Sequence, residues 1–313
     1  RPASTRGGLW SVLADSPPQA VDSAHSECVP AGRPCAGDPA VLDAQMGELR
    51  RAGVGVALLV VLLPVATVVL LSFVEEGSWT TQILPDTFTG ANYAALFTQP
   101  DVLAPITSSL WMAALATAAN VVFGVATAVV IVKGKVPGRG VLRALSLLPF
   151  AVPGTVMALG LLVLFDEPTL LAGGAVLIGT VWLLPLAYFV RHLPLVVRAA
   201  QASLEGFDDR LAEASADLGA GGWATFRRVV LPATLPGIVG GSVITFIPAF
   251  GNFIVPSVLG GAKVVMIGNL IEQQFLSARN WPFGAALAMM VMAAVLVLLI
   301  VQVRLSKRGE TTL

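Results

Sequence analysis

Charge is scarce in this chain. Asp, Glu, Lys and Arg make up 12% of its 313 residues, against 56% hydrophobic residues. An average soluble domain carries about 25% charge. No single soluble core hides so much apolar surface, so lipid must cover it. Cysteine is almost missing: Cys28 and Cys35 are the whole complement, which argues against a disulfide framework or a zinc site. Histidine is limited to His25 and His192. No HExxH, GxSxG or paired membrane aspartates occur, so no catalytic residue and no metal ligand is assigned. A GxxxxGK[ST] phosphate loop is also missing; Gly260-Gly261-Ala262-Lys263 is glycine-rich but lacks that spacing. Formal net charge is zero, which lends nothing to a nucleic-acid partner.

What is present is a set of six apolar runs, each near the ~20 residues a bilayer crossing needs. They lie near 52–73, 104–132, 142–165, 173–190, 235–257 and 284–303. The third contains Pro149 and Pro153 and is expected to kink. The fourth is short. Barrel strands would alternate with a period of two, and these runs do not. The fold class is an all-α membrane protein with six transmembrane helices.

Loop charge sets the orientation. Arg50 and Arg51 precede the first run; Glu75, Glu76, Asp86 and Asp101 follow it. Lys133, Lys135, Arg139 and Arg143 fill the next loop, and Asp166 and Glu167 the one after. Arg191, Arg198, Arg210, Arg227 and Arg228 lie between the fourth and fifth runs, and Arg304, Lys307 and Arg308 end the chain. Lys263 and Arg279 are exceptions in the last outside loop. Basic residues thus alternate sides, which places both termini and the loop 205–232 in the cytoplasm. Residues 1–46, rich in Pro, Ala, Ser, Gly and Asp, read as a disordered tail ahead of a membrane domain at 47–309. Met46 stands just before Arg50–Arg51 and is the expected natural start; peptides from residues 1–45 in native protein would overturn that.

The loop between the fourth and fifth runs reads EASADLGAGGWATFRRVVLP from Glu213 to Pro232. Leu211, Ala214 or Ser215, and Leu218 recur at helical spacing, with Glu213 and Asp217 on a more polar side. Gly219 is placed to end the helix in a left-handed cap. Trp223 and Phe226 are expected to pack back on the membrane helices, and Pro232 to stop the connecting segment and redirect it into the fifth run. A plain amphipathic surface helix would show the same periodicity. However, Glu213-Ala214-Ser215, Asp217, Gly219 and Leu231-Pro232 stand at the spacing of the EAA loop of bacterial ABC-importer permeases, which this chain resembles over roughly 50–305. FTGANYAALF at 88–97 and LPFAVPGTVMALG at 148–160 are similar to that family's first outside loop and third span. The segment 250–288, FGNFIVPSVLGGAKVVMIGNLIEQQFLSARNWPFGAALA, is similar to the first permease subunit of spermidine/putrescine importers.

The resemblance implies a multi-pass permease of the bacterial inner membrane, surrounded by lipid. It implies two ATPase subunits, a second and different permease subunit, and an extracytoplasmic solute-binding protein. This chain would bind no cofactor, ATP and Mg being used by the ATPase, and would not be an enzyme. The loop 205–232 would be a cytoplasmic coupling helix through which the ATPase moves the pore. For the translocation path, Phe246, Phe250 and Phe253 stand at i, i+4 and i+7 on the fifth run, with Asn252 the strongly polar side chain among them. Their rings suit an organic ammonium, or equally packing against neighbours. Glu272 either attracts a cation from outside or is a solvated loop charge. Gly237 and Gly241, four apart, allow close helix approach. A secondary transporter or channel is the main alternative. It would keep ionisable groups inside the membrane, and the six runs show none well inside.

Overall fold

The computed structural model describes residues 39–78, 85, 87–134, 136–260 and 264–310. His25, Cys28, Cys35 and tail residues 1–38 lie outside the described residues, as do Asp86, Lys135 and Lys263. The described chain is helical apart from turns and one isolated bridge, Val74 to Phe88. Its helices are α1 Pro39–Ser72, α2 Ala91–Thr98, α3 Pro100–Val132, α4 Arg139–Ala151, α5 Gly154–Phe165 and α6 Leu183–Glu205. There follow α7 Asp209–Asp217, α8 Gly222–Phe250, α9 Ile254–Leu259, α10 Ile267–Leu276 and α11 Trp281–Glu310. Among the described residues five helices are long and apolar enough to cross a membrane, or six if α4 and α5 form one bent span.

The chain divides into two compact units, Arg1–Ala66 and Thr67–Leu313. In the first, α1 begins at Pro39, so residues 39–46 are helical rather than part of a disordered tail. Pro39 presets φ at the first helical position, and the Ala-Val-Leu-Asp-Ala-Gln run after it holds no Gly or Pro. From Val54 to Leu62 the apolar side chains of this helix are exposed.

The second unit is built on α3, α6 and α8. Small residues let these helices close on one another. A Cβ on Gly241 would lie 2.5 Å from that of Ala199, and one on Gly237 only 1.7 Å from Ser203 Oγ, so both glycines face α6. One apolar cluster joins Met112, Ala113 and Ala116 of α3 to Leu183, Leu184 and Tyr188 of α6. Ala249, Phe250, Ile267 and Leu287 also belong to it. A second cluster of Ala128, Ala200, Leu204 and Ile238 sits toward the α7 end.

Three expectations about the spans are corrected. The third run is not one kinked helix: α4 and α5 meet at 103°. Pro153 excludes the helical region for Val152, which is extended at φ −83, ψ 130. The fourth helix does not occupy 173–190. Residues 173–182 are turns, with Gly173, Gly174 and Gly179 at positive φ, and the helix runs from Leu183 to Glu205. Arg191 and His192 therefore lie within the helix, and the span interiors are not free of ionisable groups. The arginine is held structurally. Its Nη1 donates to the Pro149 carbonyl at 3.2 Å and to that of Val152, two oxygens at the α4–α5 bend. His192 Nδ1 lies 3.1 Å from the Tyr188 carbonyl. The fifth helix starts at Gly222 and stops at Phe250, where Gly251 follows as its C-cap.

Candidate functional site

Loop 205–232 folds as a short helix clamped at both ends. Asp208 caps its start: the side chain accepts the Arg210 N–H at 3.0 Å, satisfying one of the free donors of the first turn. Gly219 ends it at φ +83. The Gly219 N–H reaches the Ala216 carbonyl at 2.8 Å and the Ala220 N–H that of Ser215 at 3.1 Å. That pair of bonds is a Schellman termination, which needs a left-handed residue at the position Gly219 fills.

Two ion pairs tie this region to the end of α3 and the first turns of α4. Lys133 pairs with Asp209, in the first turn of α7, and its ammonium lies 5.6 Å from the Phe207 ring centroid. Arg143 Nη2 meets Glu205 Oε1 at 3.3 Å. Both pairs are solvent-exposed, so each contributes at most about 1 kcal/mol. Their effect is to fix where α7 starts. On its inner side Ser215 Oγ lies 3.1 Å from Thr225 Oγ1, and Thr225 is buried.

The rest of α7 faces out. Leu211 is 48% exposed and Leu218 89%, and with exposed Ala214 they make an apolar stripe at i, i+3 and i+7. Glu213 and Asp217 are exposed one turn apart. Leu231 and Pro232 do not adjoin them; they lie a full turn or more inside α8. Pro232 does not stop the segment. The helix passes through it, with a π turn at Phe226–Val230 in which the Leu231 N–H bonds the Phe226 carbonyl. Proline has no N–H for the Arg228 carbonyl, and the wider turn absorbs that defect. Trp223 does not pack onto the membrane helices as expected. It is 74% exposed and stacks on Phe226 with centroids 5.6 Å apart, at one side of an apolar groove shared with Val122, Val125 and Leu235.

The residues proposed for the solute path are only partly brought together. Phe246 and Phe250 stack at 5.7 Å within the core cluster. Phe253 leaves that face, because α8 ends at Phe250 and Phe253 caps α9. Asn252 is engaged locally, its Oδ1 accepting the Val255 N–H at 3.0 Å. Glu272 is half-buried on α10. Lys133, Arg143, Glu205 and Thr225 were not singled out from sequence as parts of the site. Asp208 carries a readable signal, an Asp just before a helical run. The others become visible only once distant segments meet.

Residues 120–310 match the family described as binding-protein-dependent transport system inner membrane component. The chain is 33% identical over 274 residues to the spermidine/putrescine transport system permease protein PotB of Escherichia coli, covering 81% of this chain and 95% of that protein. It is 42% identical over 133 residues to PotB of Haemophilus influenzae, a match spanning 42% of this chain and 44% of that relative. Its fold is similar to a chain of a bacterial ABC transporter involved in the import of the acidic polysaccharide alginate. That likeness has a TM-score of 0.66 at 15% identity and covers 87% of this chain and 99% of the other.

Proposed function

Since the chain belongs to the binding-protein-dependent transport system inner membrane component family, and is thus a multi-pass inner-membrane permease subunit of an ABC importer, we propose that α7 is its coupling helix and a polyamine its cargo. The observation that carries the coupling reading is the exposed stripe of Leu211, Ala214 and Leu218 on a helix capped at both ends. An apolar face displayed on a rigid knob suits a groove on a partner, and Glu213 and Asp217 supply charge at its edge. The partner is an ATPase subunit, present in two copies, which binds ATP and Mg; this chain binds no cofactor. A second, different permease and an extracytoplasmic binding protein complete the assembly. Spermidine or putrescine is the cargo by likeness to the PotB relatives. Six spans with both termini cytoplasmic fit the loop charges, α4 and α5 counting as one span.

A self-contained carrier would draw on ionisable groups inside the membrane. Arg191 and His192 are the side chains of α6 that would serve it; the guanidinium is already occupied by the Pro149 and Val152 carbonyls, and His192 Nδ1 lies 3.1 Å from the Tyr188 carbonyl. The ATP-driven reading therefore stands ahead of it. The test is crosslinking in cells, with Cys28 and Cys35 replaced by Ser and single cysteines placed at Leu211, Ala214 and Leu218. Capture of the ATPase subunit from these positions is the expected result. No capture in cells that still accumulate polyamine would overturn the reading.

A further inference from the structure

A cleft of about 690 Å3 opens beside the first turns of α3, within the ~300–1,000 Å3 range of small-molecule sites. Asp101, Gln273 and Gln274 line it together with Trp111, Met112 and Phe283. Asp101 is the one carboxylate in this lining, and no Lys, Arg or His lines it among the described residues. Lys133 follows the far end of α3 and pairs with α7. The cleft thus lies roughly 30–50 Å along α3 from the end that pairs with the proposed coupling helix, at ~1.5 Å per residue.

The walls are fixed. The Ile267 N–H donates to Ser109 Oγ at 2.7 Å in a buried contact, tying the first turn of α10 to α3. Gly284 of α11 presses against the other end of α10, where an added Cβ would lie 3.2 Å from Gln274 Cβ. Trp182 meets Trp111 edge-on at 6.2 Å. The acid, the two carboxamides and the indole therefore sit on elements held by packing rather than on a loose loop.

We propose that this cleft is a receiving site for a flexible alkyl cation bearing two or more ammonium groups. The proposal rests on the polyamine reading above, which says nothing of where on this chain a solute first binds. The Asp101 carboxylate takes one ammonium group, and the carboxamide oxygens of Gln273 and Gln274 accept hydrogen bonds from another. Trp111 offers an indole to the charge, and Met112 and Phe283 offer apolar surface to the methylenes between charges. The fold by itself does not set the sign of the cargo, since a transporter of similar fold imports an acidic polysaccharide. A lone carboxylate with no facing cation among the described residues points to a cation, because an anion placed beside it would meet repulsion.

Asp101 also stands in the first turn of α3, where an acid favours the helix dipole. The test must separate that role from binding. Radiolabelled spermidine is titrated onto the purified membrane complex, permeases plus ATPase, with no binding protein present. Asp101→Asn is expected to weaken binding about tenfold, Trp111→Leu about threefold, and Asp101→Glu to restore most of it, all at wild-type thermal stability. Unchanged affinity in Asp101→Asn, or a loss of affinity and stability together that Asp101→Glu does not repair, overturns the site. So does a wild-type complex that binds no spermidine. Uptake into proteoliposomes with the binding protein added then decides separately: transport of spermidine leaves the polyamine reading standing without this site, and no transport removes both.

Discussion

Gly219 carries φ +83 where α7 stops, and two hydrogen bonds close the turn around it. An L-residue with a side chain pays about 1–2 kcal/mol to sit there. Gly219→Ala is therefore expected to loosen the end of α7 without disturbing membrane insertion. In the reconstituted importer, uptake per ATP hydrolysed should fall severalfold while hydrolysis persists; an unchanged ratio would remove the cap from the coupling mechanism. This residue was legible in advance, because a glycine after a helical run points to a left-handed cap. Arg191 was not. Its partner carbonyls at Pro149 and Val152 lie 42 and 39 residues upstream and come into reach only at the α4–α5 bend. Arg191→Leu leaves those oxygens without their donor, at roughly 1–3 kcal/mol each. The purified complex should melt at lower temperature, with Arg191→Lys intermediate, since an ammonium lacks the guanidinium fork. An Arg191→Leu complex as stable as wild type would show that the bend does not depend on this clamp.

At the scale of helices, the short amphipathic one was readable, as were the apolar runs near 52–73, 104–132 and 284–303, while the third, fourth and fifth runs were not. The period of Leu211, Ala214 and Leu218 and the caps at Asp208 and Gly219 are local signals, and the structure gathers them on one nine-residue helix, Asp209–Asp217, and its flanking cap residues. Apolar runs carry no such punctuation. Residues 173–182 are as hydrophobic as a span, yet three glycines at positive φ turn them into loops. Arg191 and Arg198 belong to a helix despite their charge, since neighbours cover that helix along much of its length. Phe253 failed for the opposite reason: a regular i, i+4, i+7 pattern continued in the sequence after the helix had ended at Phe250. The outward face of α7 invites a direct test. Burying a leucine contributes about 1.5–3 kcal/mol. Leu218→Asp should therefore lower affinity for the ATPase subunit at least about tenfold, read by co-purification, while Leu218→Met holds it. Equal co-purification of both variants would place the docking surface elsewhere.

For the whole molecule, the topology turns on a parity. Whether α4 and α5 together cross the membrane once, or dip in and return, decides on which side α7 lies. The two ion pairs bear on this. Lys133 at the end of α3 pairs with Asp209, and Arg143 in α4 pairs with Glu205 at the end of α6. The chain therefore leaves α3 and returns from α6 at the same end of the bundle. Between those points runs α6, 23 residues long and some 34 Å at ~1.5 Å per residue, enough to span the ~30 Å hydrocarbon core. A path that begins and ends on one side needs an even number of crossings. With α6 as one, the bent pair supplies the other, which supports six spans and a cytoplasmic α7 on the side favoured by Lys133, Arg139 and Arg143. Leu170, just past α5 and 98% exposed, reports on the choice. With Cys28 and Cys35 replaced by Ser, a cysteine at Leu170 should react with a membrane-impermeant maleimide from outside, and one at Leu218 only in inverted vesicles. A cysteine at Leu170 that reacts only in inverted vesicles, with one at Leu218 reacting from outside, would make α4–α5 a re-entrant pair. α7 would then lie across the membrane from Lys133, against the ion pairs that hold the two ends together.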